Sequence, residues 1–246
     1  MDNKGIGVFD SGVGGISVLL EMQKRFPGET FYYYGDNYNT PYGEKGKREL
    51  ITLGVACTPN GIEKLLNYNV KAIVVACNTL SVNVLKELKG YSPVPLYGVF
   101  PPLEKALIND EKTILLCTSA TAIYYNGIKN KNLVICPCKT LVKQIENYKN
   151  ILDVNLTTDV PLYYKNDFDT VILGCTHYLF LKNKIFDHLK PRKIISGNEF
   201  TIDYMQKHQF LREKYDKNIK SEIFFVGDTA RANEEFYNKV VKYCLL

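Results

Sequence analysis

Two short segments each end an apolar run in a cysteine followed by small polar groups: "IVVACNT" at 73–79 and "VILGCTHY" at 171–178. A thiolate is both a nucleophile and a proton acceptor, and a helix N-terminus or a nearby base favours it over the thiol. Cys77 and Cys175 each stand where a strand would hand over to a helix. Taken singly, either thiol is explained as a small core residue, since free cysteine is often buried. In matched contexts they suggest two thiols delivered to one pocket. His177 is spaced to act as base or relay for Cys175, and Asp10 can do so for Cys77. Asn78, Thr79 and Thr176 can donate to substrate carboxylates. Two opposed acid/base thiols around one carbon suit removal of a proton from one face and its return from the other, which is racemisation. The α-proton of an amino acid is very weakly acidic, so such a site needs donors aimed at the carboxylate in a pocket that excludes water. Nothing in this scheme requires a cofactor, and no metal cluster or pyridoxal-phosphate lysine is expected.

Ligands of open α/β sheets bind beyond the carboxyl ends of the strands, so the loops there are the remaining candidates. In "FDSGVGGIS", Asp10 and Ser11 precede Gly12, Gly14 and Gly15 at a helix start. Backbone N–H groups and a helix N-terminus favour an anion there. The spacing is neither a dinucleotide fingerprint nor a P-loop, so a small carboxylate fits better than a nucleotide; a capping Asp-Ser turn accounts for the same residues. In "GDNYNTPYG" (35–43), Pro41 fixes a turn while Tyr42 and Gly43 supply contacts.

Strands able to carry these loops are expected at 6–9, 30–35, 70–76, 94–99, 112–117, 133–136, 169–174, 192–196 and 222–227. Several are continuous apolar runs, as in strands covered on both faces. Helical stretches lie between them. In "ISVLLEMQKRF", Ile16, Leu19, Leu20 and Phe26 share a face. "KRELITLGVA" follows, and Thr58 and Pro59 read as a cap and first-turn proline restarting a helix. Alternating strands and helices predict an α/β fold of doubly wound, mainly parallel sheets. The proline-rich "SPVPLYGVFPP" (92–102) is the best crossing point between two halves. Each half then holds one cysteine motif, a faint repeat of about a hundred residues by the spacing of those motifs.

The chain has 246 residues, 46% hydrophobic and 23% charged, enough for one large domain or two small ones. No run is long enough for a transmembrane helix, and the N-terminus shows no signal-peptide pattern, so a cytoplasmic protein without a membrane partner is expected. Seven cysteines are spread along the chain, the pattern of free thiols rather than a disulfide framework. "CPC" at 136–138 lacks the second ligand pair that zinc prefers. The net charge of +5 is mild, and the lysines of "GEKGKRE", "KNKN" and "HLKPRK" are scattered, so no nucleic-acid partner is expected.

"FDSGVGG", "GD…PYG", "ACNT" and "GCTHY", in this order and spacing, closely resemble the cofactor-independent glutamate racemases, from Gly7 to about Tyr178, with weaker similarity through "IISG". The resemblance implies that Cys77 and Cys175 are the alternating proton acceptor and donor, Cys175 acting on L-glutamate and Cys77 on D-glutamate, assisted by Asp10 and His177. It implies substrate contacts at Asp10, Ser11, Tyr42, Gly43, Asn78, Thr79, Thr176 and His177. "CTSAT" resembles the family's G-T-x-A-T and adds Thr118 and Thr121; Pro41, and Glu146 in "KQIEN", are weaker assignments. Two pseudo-symmetric α/β domains are implied, 1–95 plus 206–246 and 96–205, with the site in the cleft between them. A homodimer in a bacterial cytoplasm, supplying D-glutamate for peptidoglycan, is implied too. "GDNYNTPYG" departs from the usual G-D-T-A-R-V-P-Y-G, Leu179 replaces a usual proline, and Cys117 and Ser196 stand where glycine and aspartate are common. Rival readings are a racemase of aspartate or another small acid, a cysteine hydrolase using Cys175 and His177, and a non-catalytic binding relic. A racemase needs both thiols, a hydrolase one and a binder neither.

Overall fold

The computed structural model describes residues 4–55, 61–108, 110–147, 153–208 and 221–243. Cys57, Cys244 and the helix restart expected at Thr58 and Pro59 lie outside these. The described residues form two parallel sheets. The first contains β1 (Gly5–Asp10), β2 (Thr30–Gly35), β3 (Val70–Val75), β4 (Leu96–Gly98) and β9 (Glu222–Phe225), ordered β4-β3-β1-β2-β9. The second contains β5 (Thr113–Cys117), β6 (Leu133–Pro137), β7 (Thr170–Gly174) and β8 (Lys193–Ser196), ordered β6-β5-β7-β8.

The apolar runs sit where their composition requires. Every residue of β1, β5 and β7, central in their sheets, is buried, whereas the edge strands β6, β8 and β9 are partly exposed. Central parallel strands are covered on both faces by their crossover helices and have no polar side to spare. The helices among the described residues are α1 (Ile16–Arg25), α2 (Lys47–Val55), α3 (Ile62–Leu66), α4 (Asn78–Lys89), α5 (Leu103–Leu107), α6 (Ser119–Tyr125), α7 (Leu141–Glu146), α8 (Lys182–Leu189), α9 (Asn198–Lys207) and α10 (Ala230–Tyr243).

β4 is shorter than the run expected at 94–99. Pro93 and Pro95 precede it, and a proline cannot donate to a ladder. Residues 96–98, expected in the second half, pair with β3 instead and close the edge of the first sheet. β9 returns to that sheet beside β2, Phe31 facing Ile223. One buried apolar cluster runs through both halves, joining Val13, Ile16 and Leu20 to Leu141, Val142, Leu179 and Leu181. The two halves therefore meet along an apolar seam, with the carboxyl ends of β1, β3, β5 and β7 turned toward it.

Candidate active site

β1 ends at Asp10, whose side chain is fully buried. Asp10 Oδ1 accepts from the Gly12 N–H at 2.9 Å, and Oδ2 accepts from the Thr176 hydroxyl across the seam at 3.2 Å. Burial pushes the Asp10 carboxyl up from its ordinary value, and neighbouring His177 opposes that. Beside it, Cys77 Sγ lies 3.7 Å from Ser11 Oγ. Cys77 is the residue immediately before α4 and is 5% exposed. The helix-start position alone predicts a depressed thiol pKa; in the structure Cys77 is pushed up to about 12. Desolvation by burial is the main cause and the negative Asp10 the next, together outweighing hydrogen bonds from Leu80 N–H and Ser11. Cys175 also contributes to that rise, so the two thiols are close enough to feel one another's charge.

β7 delivers the second thiol. Cys175 precedes a 3₁₀ turn, Thr176–Leu181, and is 6% exposed. Its sulfur lies 3.7 Å from His177 Nδ1, and His177 Nε2 lies 2.6 Å from Glu146 Oε1 at the end of α7. Burial works to lower the imidazole pKa, but hydrogen bonds and charge from Cys175 and Glu146 outweigh it and hold His177 well above 6.5. Glu146 Oε1 also accepts from the Val13 N–H at 2.9 Å, and Oε2 accepts from the Asn37 side-chain amide at 3.2 Å. Cys175, His177 and Glu146 thus form one line, tied to the loop after β1 and to the loop after β2.

The threonines form a second cluster on the same seam. Thr79 and Thr118 hydroxyls lie 2.9 Å apart, and Thr118 donates to Thr121 at 3.2 Å. Gly43 packs on this cluster: a Cβ there would fall 2.5 Å from that of Thr118. The peptide before Pro41 is cis. Two expected contacts are differently engaged. The Asn78 amide donates to the Val99 carbonyl at 2.9 Å, and the Tyr42 hydroxyl donates to Asp36 Oδ2 at 2.6 Å, so both brace the loops that carry them.

Sequence reasoning did not single out Asp36, Asn37 or Ser17. Ser17 donates to the Gly14 carbonyl at 2.9 Å and lies 3.2 Å from the Thr176 carbonyl, joining α1 to the Cys175 turn. The "GD" of "GDNYNTPYG" was a signal for Asp36; an isolated serine inside a helix was none. In the CPC segment, Cys138 Sγ lies 3.6 Å from the Cys136 carbonyl, and the Cys138 carbonyl accepts from the Tyr178 hydroxyl at 3.2 Å. Among the described residues no group of three or more metal-ligating side chains comes together.

This arrangement, two buried thiols at the ends of equivalent strands with a carboxyl beside one and an imidazolium–carboxylate pair beside the other, can handle a proton on each side of a small anion. A scan of family models finds no match. The chain is 40% identical over 234 residues to a glutamate racemase of Clostridium acetobutylicum, covering 89% of each. Its fold matches a Bacillus anthracis glutamate racemase isoform with a TM-score of 0.76 at 26% identity, over 99% of this chain and 96% of that one. It matches a Thermus thermophilus glutamate racemase, solved with β-chloro-D-alanine, at a TM-score of 0.72 and 30% identity over 95% and 93% of the chains. The chain belongs to the glutamate racemase family.

Proposed function

We propose that this chain interconverts L- and D-glutamate by transferring the α-proton between two thiols, Cys77 and Cys175, without a cofactor. The observation that carries the reading is the pairing itself. Two buried cysteines end equivalent strands of two sheets, and the Thr176–Asp10 hydrogen bond joins the residue after Cys175 to the loop that packs on Cys77.

Cys77 is a thiol in the unliganded site because it is buried beside the negative Asp10. An α-ammonium bound at Asp10 neutralises one cause of that raised pKa and brings the thiol closer to ionisation. On the other face, protonated His177 stabilises a Cys175 thiolate or returns a proton to it. The site starts with one sulfur as base and the other as acid. Proton removal by the base and delivery from the acid inverts the α-carbon and exchanges the two roles. Ser11, Thr79, Thr118, Thr121 and Thr176, with Gly43 backbone, offer donors for the two carboxylates, which strengthen as charge builds on the carbanion. Tyr42, Pro41 and Asn78 shape the loops around them. The surrounding apolar seam excludes water, as a weakly acidic C–H requires.

Glutamate is chosen because it is the substrate in the name shared by the relatives. In a bacterial cytoplasm the product D-isomer would serve peptidoglycan synthesis. A homodimer and the two-domain division at 95/96 and 205/206, with the first boundary moved past β4, belong to the same reading. The test is circular dichroism of either enantiomer with wild type, Cys77→Ser and Cys175→Ser. Decay of the signal from both enantiomers by wild type, and at least a thousandfold loss in each variant, is expected; roughly 10³ is what removal of a proton-transfer group from such a unit costs. Wild type that converts aspartate and leaves glutamate untouched overturns the substrate. Wild type inert to both overturns the mechanism.

A further inference from the structure

Glu146 uses its two oxygens differently. Oε1 takes both the Val13 N–H and His177 Nε2, while Oε2 takes the Asn37 amide from the loop after β2. A carboxylate held at one oxygen can still turn about its Cγ–Cδ bond; held at both, its plane is set. Asn37 is firmly mounted for this task. The preceding Asp36 donates its N–H to the Asp10 carbonyl at 3.0 Å, and its carboxylate is gripped by Tyr42 and by Asn39 at 2.8 Å. The amide orientation is forced, because exchanging its oxygen and nitrogen would set an acceptor against a carboxylate. The result is an Asn37 Oδ1 that is buried with no hydrogen-bond partner. An unpaired buried acceptor is unfavourable, so the fold keeps this orientation against a cost.

We propose that Asn37 is a positioning residue for the Cys175 face of the reaction. By fixing Glu146 Oε2 it aims Oε1 at His177 and keeps the Glu146–His177–Cys175 line in register across the seam. The proposal rests on the two-thiol racemase reading and adds a side chain that touches neither thiol. It makes the loop after β2 a two-sided device, with Asp36 bracing Tyr42 and Asn37 bracing the opposite face.

Rates alone do not show which face is damaged. The enantiomers have equal free energy in water, so kcat/KM falls equally in both directions. Isotope effects distinguish the faces. Raising the barrier for transfer at Cys175 makes that step more rate-limiting. The α-deuterium effect on kcat/KM then grows for the enantiomer that Cys175 deprotonates and shrinks for the other. The experiment measures these effects with α-deuterated L- and D-glutamate for wild type, Asn37→Ala, the near-isosteric Asn37→Asp and, as the reference for this face, Glu146→Gln. Asn37→Ala is expected to lower kcat/KM about tenfold, as loss of a hydrogen bond to a charged group does, with opposite movements of the two isotope effects in the sense shown by Glu146→Gln. Asn37→Asp, which sets a second carboxylate against Glu146, gives the same pattern with a larger loss. Wild-type rates in both variants, isotope effects that stay fixed or rise together, or movement opposite to Glu146→Gln overturns the proposal while leaving the racemase reading intact. Wild type inert to both enantiomers overturns that reading instead.

Discussion

His177 holds its proton because two partners outweigh its burial. The imidazole is 2% exposed, so with neutral neighbours desolvation would drive its pKa below 6.5. Cys175 supplies the larger part of the opposing effect, and Glu146 at 2.6 Å supplies the rest. Glu146→Gln keeps the side-chain length and removes that charge, leaving Cys175 alone to oppose burial. The ring-proton NMR titration of His177 should then move to lower pH, and the alkaline limb of the pH–rate profile should move with it. A titration midpoint unchanged from wild type would remove Glu146 from the proton-transfer line. Cys77 makes the complementary case. Its thiol is pushed up to about 12 with Asp10 as the second cause, so Asp10→Asn should lower that pKa while depriving an α-ammonium of its partner. Thiol titration by ultraviolet absorbance of the free protein should show the fall even though racemisation is lost. A Cys77 titration that stays put would mean burial alone sets its pKa.

At the scale of elements, the loop from β1 to α1 positions the site by its lack of side chains. At Gly14 a Cβ would lie 2.6 Å from His177 Cε1 and 2.7 Å from Thr176 Oγ1. Neither neighbour has room to yield, since His177 is held by Cys175 and Glu146 and Thr176 donates to Asp10. Gly14→Ala should cost about 1–3 kcal/mol by overpacking. It should cost far more in activity, about a hundredfold or more, because the imidazole must leave its line with the thiol and geometry errors of this size are expensive. Chemical denaturation and kcat/KM measured on the same preparation separate the two; equal losses, each near tenfold, would make Gly14 merely structural. The strands and this glycine loop were legible in the sequence because apolar runs and punctuating glycines are local signals. The strands observed fall at the nine runs expected, most within one or two residues. Contacts between elements were not legible. The Asn37–Glu146 bond spans 109 residues and joins two loops with no shared periodicity. Asn78 and Tyr42 carried the right residue types for substrate contact, yet their polar atoms face Val99 and Asp36, a choice made by packing that no spacing reveals.

The whole molecule has placed many proton-holding groups out of reach of water, and this shapes its stability as well as its chemistry. Burial raises Cys77 to about 12, and pushes Cys117, Tyr33, Tyr42 and Tyr178 up as well. In the unfolded chain these groups ionise near their ordinary values, about 8.5 for thiols and about 10 for phenols. A group raised in the fold contributes stability that is complete below its unfolded pKa and is lost as pH climbs toward the folded one. Each costs about 1.4 kcal/mol per pH unit across that interval. The stability of the chain should therefore already decline between pH 7 and 8, as the unfolded chain sheds the proton that folded His177 keeps, fall further as the thiols of the unfolded chain ionise, and fall more steeply above pH 10 as the phenols join. Urea midpoints from pH 7 to 11 test this. Cys117→Ala removes one titrating thiol, so its decline between pH 9 and 10 should be shallower than that of wild type, whatever the fixed cost of the substitution. A wild-type midpoint that stays level to pH 10.5 would mean that these groups find water readily and that the seam is open much of the time. That result would also undercut the mechanism, because a carbanion formed between two thiols survives only where water is kept out.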